Sequence, residues 1–371
     1  MACVNRSPVR AYLPRMLLVG LLGLTMLLIA CRQNDTPAIV TSPAQETTPV
    51  LKVYNWDTYI DPEILTSFEQ TYGVSIDYQI FDVDTDMMEE LRVPGADYDV
   101  VVPSDFNVAI MRQEGLLAPL DKDAIPNAVN LDPTFVSPVF DPANRYCMPY
   151  QWGTVGIGYN LAATGREITS WADFFDPEFA GRVAMMDDTR TAIGLALLIL
   201  GYSPNTTNPR QIAEATDFLI SHADQIGAYT GDDGQDFLNR GEFDMVVEWS
   251  GDIFQIMEEN EDIRYVIPEE GSLIWTDNLC IPATAPHKAL AEQFINYILE
   301  PEIGAQLSNY TQFGTPNAAA LPFIDEELLA NPAVYPPESV RERLFFQVDV
   351  NLAATQLYDQ AWAEIMEGHS S

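Results

Sequence analysis

Strands and helices alternate twice along this chain. The hydrophobic pattern predicts a first series with strands at 51–54, 74–80 and 98–102 and helices at 62–72 and 87–92. It predicts a second series after residue 150, with strands at 182–186 and 244–248 and helices at 191–200, 212–222 and 252–259. Such alternation is typical of α/β units on a mainly parallel sheet. Two series of similar size predict two α/β lobes.

The length and charge of the chain limit its class and its partners. A length of 371 residues is sufficient for two lobes with separate cores. The chain has 18 basic and 55 acidic residues, a formal net charge of −37. A negative field of this size repels nucleic acid and anionic lipid and speeds the arrival of a cation. Solubility or a salty habitat would explain the acidity equally well, so charge is only supporting evidence.

The N-terminal segment has the features of a secretion signal. Arg6, Arg10 and Arg15 precede an apolar run, 16–30, that is short for a membrane span. The run ends in a small residue followed by Cys31, the pattern of a bacterial lipobox. We therefore predict a lipoprotein signal peptide at 1–30 and a lipid anchor at Cys31. The alternative is a short uncleaved anchor helix, and either one places the body in the periplasm or on the outer face of the cytoplasmic membrane.

Residues 31–50 are rich in Thr, Pro, Gln and Ala and have no apolar period, which predicts a flexible tether. Once Cys3 leaves with the signal and Cys31 carries lipid, Cys147 and Cys280 remain. In an oxidising compartment they could form one disulfide, and two buried free thiols are the alternative. There is no Cys-x-x-Cys motif or Cys/His cluster, so we expect no metal site and no cofactor.

Aromatic and acidic residues follow several of the predicted strands. Trp56, Ser104, Asp187-Asp188 and Trp249 each come just after a strand, and Trp275 and Asp277 lie two residues apart on an extended segment. Ligands of open α/β sheets bind beyond the carboxyl ends of the strands. Aromatic faces attract cations, and carboxylates pair with ammonium groups. These residues therefore predict one site for a flexible organic polycation, although Asp188 and Asp252 could instead cap helices and the tryptophans could belong to the core.

The chain resembles a known family from about Leu51 to its C-terminus. The resemblance is to the spermidine/putrescine-binding proteins that supply polyamine ABC importers in bacteria. It implies a two-lobed type II periplasmic-binding-protein fold with the ligand between the lobes. One lobe would comprise residues 51–152 and 278–321, and the other 153–277 and 322–371. The motifs that carry it are Val53-Tyr54-Asn55-Trp56, the segment from Tyr98 to Ser104, Leu131-Asp132-Pro133, the segment from Pro149 to Gly153, Ser170-Trp171-Ala172-Asp173, Leu200-Gly201-Tyr202-Ser203, the segment from Trp275 to Leu279, and Thr315-Pro316-Asn317.

The resemblance also implies which residues contact the ligand. Aromatic side chains would cover its methylene groups, and acidic and polar side chains would hold its amines. Asp277 beside Trp275 is the central pair, and Phe106 and Phe313 stand where many relatives have a hydroxyl-bearing aromatic. The implied set is Trp56, Asp57, Tyr59, Ser104, Phe106, Asp188, Trp249, Asp252, Trp275, Asp277, Phe313 and Gln347.

Two positions bear on the choice of polyamine. Thr191 stands where spermidine-preferring relatives tend to carry a glutamate, and Asp252 matches the putrescine-preferring branch. The resemblance therefore favours putrescine over spermidine. Asp57 is displaced by one residue from an acid in some relatives, a place that Thr58 occupies here, and which of the two reaches the cleft is open.

Some of these residues would also fit other functions. A binding protein for a quaternary amine, a cationic peptide or iron(III) would use the same fold, and an extracellular hydrolase would also combine acids with aromatics. The chain has no Gly-x-Ser-x-Gly, His-Glu-x-x-His or phosphate-binding loop, so we do not expect an enzyme. We expect a monomer that delivers its ligand to permease subunits, and a sensor role is also compatible with the sequence.

Overall fold

The computed structural model describes residues 48–81, 84–231, 233–348 and 350–369. Thr48–Ser371 forms one compact unit. The predicted signal peptide, Cys31 and the tether up to residue 47 lie outside the described residues. Among the residues that are described, no helix combines the length and the apolar character needed to cross a membrane.

The strands of the described part fall at both ends and in the middle of the chain. Their bounds are β1 Val50–Trp56, β2 Ser75–Phe81, β3 Val100–Val101, β4 Cys147–Asn160, β5 Val183–Met186, β6 Ile226–Thr230, β7 Met245–Trp249, β8 Ile263–Val266, β9 Ser272–Cys280 and β10 Leu344–Phe346.

The α-helices alternate with these strands and then dominate the C-terminal third. Their bounds are α1 Pro62–Tyr72, α2 Asp84–Arg92, α3 Asp105–Glu114, α4 Leu161–Thr164, α5 Trp171–Phe174, α6 Thr189–Ile199, α7 Pro209–Ser221, α8 Gly234–Asn239, α9 Ser250–Glu259, α10 Lys288–Ile298, α11 Pro301–Thr311, α12 Glu326–Leu329, α13 Glu338–Arg341 and α14 Leu352–His369. Short 3-10 helices lie between β3 and β4, before β5 and after α11.

The sheet is continuous, in the order β2-β1-β3-β9-β4-β7-β5-β6, with β10 beside β9 and β8 beside β4. The long strands β4 and β9 pair antiparallel with each other, from Cys147↔Cys280 to Thr154↔Ile274. The second half of β4 then pairs antiparallel with β7 and β8. The outer pairs β1–β2, β1–β3, β5–β6 and β5–β7 are parallel. The parallel pairs, which include β10–β9, agree with the predicted α/β units. The sheet is nevertheless mixed, because two long antiparallel strands that the sequence did not predict connect the parallel halves.

Two large apolar cores contain opposite ends of these long strands, in a two-lobed α/β fold. One core contains Leu51, Phe68 and Phe294, and the other contains Ile157 and Trp171, with many further buried side chains. Trp275 packs against both cores. This residue of β9 therefore lies where the two lobes meet.

Helix ends follow the local sequence signals closely. Asp61 accepts a hydrogen bond from the Glu63 amide at the start of α1, Pro62 takes the first helical position, and Gly73 ends the helix with φ 67°. At the start of α6 the side chain of Asp188 accepts from the Thr191 amide at 2.7 Å. These caps explain why the predicted helices agree with the structure within a few residues.

A disulfide joins Cys147 of β4 to Cys280 of β9. The two residues are direct cross-strand partners with a Cα–Cα distance of 4.4 Å, and both side chains are buried. Of the two alternatives left by the sequence, the structure has the disulfide. It ties the two long strands together at the end of their pairing.

Candidate functional site

The candidate site forms where several strands end. Trp56 and Phe81 are the last paired residues of the parallel strands β1 and β2. Ser104, which follows β3, forms an isolated antiparallel bridge with Asp277 of β9. Because these strand ends share one edge of the sheet, the segments that follow them surround Asp277.

Asp277 is the buried centre of the site, with 8% of its surface exposed. Its Oδ2 accepts a hydrogen bond of 2.7 Å from the Tyr59 hydroxyl. Burial raises the pKa of Asp277 well above its usual range, Tyr59 opposes this rise, and the charges of Asp84 and Asp105 add to it. A carboxyl group in such surroundings gains strongly from a cation placed beside it.

Tyr59 is itself held by a chain of hydrogen bonds. Its carbonyl oxygen accepts from the Tyr150 hydroxyl at 2.7 Å and from Nε2 of Gln151 at 3.3 Å. The hydroxyl of Thr311 in turn donates to Oε1 of Gln151. All of these residues are buried, so the Tyr59 hydroxyl is presented to Asp277 in a fixed position.

Four aromatic rings form a continuous wall beside Asp277. The ring centroids are 5.4 Å apart for Tyr59 and Phe313, 5.2 Å for Phe313 and Trp275, and 5.7 Å for Trp275 and Trp249, each pair in an edge-to-face arrangement. Such pairs stabilise one another by about 0.5–1.5 kcal/mol beyond their burial. The indole Nε1 of Trp275 is buried and has no hydrogen-bond partner among the described residues.

Two glycines allow this wall to form. A Cβ atom at Gly251 would lie 2.2 Å from the ring of Phe313, and one at Gly153 would lie 2.5 Å from the indole of Trp275. Either contact is far closer than real carbon atoms approach. The glycine after Trp249-Ser250 is therefore required for ring packing.

Three predicted side chains belong to the second series of elements and the C-terminal segment. Asp252 is in the first turn of α9, three residues after Trp249. Burial and then Asp277 raise the pKa of Tyr59, and the charge of Asp252 adds to that rise. Asp188 caps α6 as described above. Nε2 of Gln347 is buried without a hydrogen-bond partner among the described residues and lies near Gly194 of α6.

Trp56 and Phe106 contact residues outside the wall of rings. The Trp56 indole donates to the Val102 carbonyl at 2.9 Å and packs on Phe81 at 4.5 Å between ring centroids. Asp57 and Thr58 are both exposed. Phe106, at the start of α3, is covered by the guanidinium of Arg190, 5.7 Å from its ring centroid.

Several residues outside the predicted ligand set also shape the site. Tyr150 and Gln151 lie on β4, which the sequence did not resolve as a strand. Asp84 and Asp105 surround Ser104, and Asp105 is buried. Asp84 follows the end of β2, so the rule that selected Trp56 and Ser104 would have selected it as well.

The raised pKa of Asp277 predicts that its ionised carboxylate lowers the stability of the ligand-free protein. Its carboxyl group is harder to ionise in the folded protein than in the unfolded chain, so the folded state loses stability as pH rises through the folded pKa. We expect Asp277→Asn to raise the unfolding temperature of the ligand-free protein, with a difference from wild type that grows between about pH 4 and pH 8. Thermal unfolding followed by circular dichroism measures it.

The matched control is Asp86→Asn, which removes one charge from an exposed position of α2. It should leave the unfolding temperature nearly unchanged. The charged and titratable groups that interact with Asp277 are Tyr59, Tyr150, Asp84 and Asp105. An Asp277→Asn variant that is equally or less stable at pH 8 would contradict the prediction.

The sequence of the chain matches a known protein family. The sequence model of the family described as bacterial extracellular solute-binding protein matches residues 63–336. The spermidine/putrescine-binding periplasmic protein of Escherichia coli is 34% identical over 321 residues, 86% of this chain and 92% of the relative. The putrescine-binding periplasmic protein SpuD of Pseudomonas aeruginosa is 32% identical over 338 residues, 86% and 92% of the two chains.

Solved structures agree with this assignment. The spermidine/putrescine ABC transporter substrate-binding protein PotD of Streptococcus pneumoniae has a TM-score of 0.82 and 33% identity, covering 87% of this chain and 100% of that one. The Tp0655 lipoprotein of Treponema pallidum has a TM-score of 0.77 and 30% identity, covering 85% and 99%. The chain therefore belongs to the bacterial extracellular solute-binding proteins.

Proposed function

We propose that this protein captures a polyamine between its two lobes and delivers it to an ABC importer. The observation that carries the proposal is the buried carboxyl group of Asp277, held by Tyr59 beside a wall of aromatic rings. The names of the relatives from Escherichia coli and Pseudomonas aeruginosa, which bind spermidine or putrescine, support it.

The chemistry of the ligand matches the chemistry of the site. At neutral pH a polyamine is a row of ammonium groups separated by methylene chains. Asp277 replaces the water around one ammonium group, and the rings of Trp275, Phe313 and Trp249 cover the methylenes and add cation–π attraction of about 0.5–2 kcal/mol each. Binding and release complete the task, so the proposal includes no covalent step and no enzymatic activity.

The long strands connect ligand binding to lobe movement in this proposal. We place the lobes at residues 51–152 with 278–321 and 153–277 with 322–371, so that β4 and β9 cross between them. Trp275 packs against both cores and lies two residues from Asp277. A ligand that contacts both residues thus stabilises the closed arrangement of the lobes over the open one.

We favour putrescine over spermidine as the ligand. Asp277 from β9 and Asp252 from α9 give a short diamine one carboxylate for each end. Thr191 supplies no further acid: it is buried, and its amide is occupied by the cap of Asp188. In this assignment Asp188 acts mainly as a helix cap, and Gln347 supplies a polar contact from the C-terminal segment.

The site should bind only ligands that have N–H donors. Putrescine and spermidine should raise the unfolding temperature of the protein, whereas betaines, metal ions and sugars should not, because only amines with N–H donors match Asp277. Asp277→Ala should weaken polyamine binding by about 30-fold or more, since removing one partner of a buried charge pair costs about 2–5 kcal/mol. A thermal-shift screen followed by calorimetry measures both effects.

The control variant is Asp86→Asn, which removes an exposed carboxylate of α2, a helix outside the predicted ligand set. Its loss of affinity should be small compared with that of Asp277→Ala. Equal polyamine affinity in wild type and Asp277→Ala would remove Asp277 from the binding site. A response to betaine instead of polyamines would favour the quaternary-amine alternative.

We further propose that Cys31 carries a lipid that holds the protein, as a monomer, at the outer face of the cytoplasmic membrane. The Treponema pallidum relative described as a lipoprotein supports an anchored form. Cys31→Ala should move the protein from the membrane fraction to the soluble fraction when bacteria producing the full chain are fractionated. Equal membrane association of both proteins would contradict the lipid anchor.

A further inference from the structure

Asp84 lies at the edge of the sheet where the candidate site forms. It is the first residue of α2 and follows β2, whose last residue Phe81 pairs with Trp56 at the end of β1. The chain thus leaves β1 and β2 at the same edge, and Asp84 is half-buried there. No residue of the predicted ligand set comes from this segment.

Hydrogen bonds hold the Asp84 carboxylate against Ser104. Its Oδ1 accepts from the Ser104 amide at 3.4 Å, and its Oδ2 accepts from Nδ2 of Asn107 at 2.8 Å. The same Asn107 amide donates to the Ser104 hydroxyl at 3.1 Å. Ser104 also forms the antiparallel bridge with Asp277. Ser104 thus contacts the Asp84 carboxylate through its amide and pairs with Asp277 through its backbone, and the charge of Asp84 adds to the raised pKa of Asp277.

A third carboxyl group, that of Asp105, is close enough for its charge to add to the raised pKa of Asp277. Asp105 is 4% exposed, and its Oδ2 has no hydrogen-bond partner among the described residues. Burial raises the pKa of Asp105 to about 7, and the charge of Asp84 adds to the rise. A buried carboxyl oxygen without a donor is costly, and a cation nearby reduces that cost. The carboxyl groups around Ser104 therefore favour a cation in their vicinity.

Building on the proposed polyamine function, we propose that Asp84 is a specificity-determining residue that, with Asp277 and the Ser104 hydroxyl, binds a terminal primary ammonium group. A primary ammonium group has three N–H donors, and these side chains offer three acceptors. A secondary ammonium group has two donors, and a quaternary one has none. This end of the cleft therefore selects an unsubstituted amine terminus.

The test compares putrescine with N,N′-dimethylputrescine, in which both ends are secondary amines. Calorimetry is performed on the purified wild type, Asp84→Asn and Asp86→Asn. Wild type should prefer putrescine. Asp84→Asn should weaken putrescine binding about 10- to 100-fold, as expected for the loss of a charge-assisted hydrogen bond, and should weaken binding of the dimethylated amine much less. Asp86→Asn removes the same charge from an exposed position of α2 and should change neither affinity beyond twofold.

The ratio of the two affinities is measured within one variant, so it is independent of any change in the fraction folded. An unchanged ratio in Asp84→Asn would overturn the assignment, as would equal losses in Asp84→Asn and Asp86→Asn. If wild type and Asp84→Asn bind putrescine with equal affinity, only the Asp84 contact is refuted. Failure of wild type to bind any polyamine refutes the proposed function and this contact together.

Discussion

The antiparallel pairing of β4 with β9 is the constraint on which the rest of this structure depends. It connects two parallel half-sheets into one continuous sheet, and the Cys147–Cys280 disulfide fixes one end of it. The same pairing places Trp275 between the two apolar cores and Asp277 at the edge where the neighbouring strands end. Architecture and ligand recognition therefore use the same strand, so a change in the register of β9 would disturb both.

The site is organised at the expense of the stability of the ligand-free protein. Asp277 is a buried acid whose pKa is raised by burial and by neighbouring acids. Tyr59 offsets part of this rise with one hydrogen bond to the carboxyl group. Natural binding sites commonly hold such destabilising groups, because the ligand supplies the missing charge. In our account an ammonium group of the polyamine supplies that positive charge when the lobes close around the ligand.

Much of the fold could be predicted from the sequence because the local signals agreed. Asp61, Pro62 and Gly73 define α1 in both the sequence and the structure, and β1 and β2 alternate with helices as expected. The long strand β4 could not be predicted, because nearly all of its residues are buried and its apolar pattern has no period of two. The rings of Tyr59, Trp249, Trp275 and Phe313 do converge. Trp56 instead donates its indole N–H to a backbone carbonyl, a contact that depends on the position of β3 and leaves no trace in the local sequence.

The central claim is that Asp277 binds the ligand as an ionised carboxylate although burial favours its protonated form. Calorimetric titration of wild type with putrescine, in two buffers of different ionisation enthalpy, measures the protons exchanged on binding. Because an ammonium group beside Asp277 lowers its pKa, we expect protons to be released on binding and the affinity to be higher at pH 8 than at pH 6. Equal affinity at both pH values, with no proton release at either, would contradict the account.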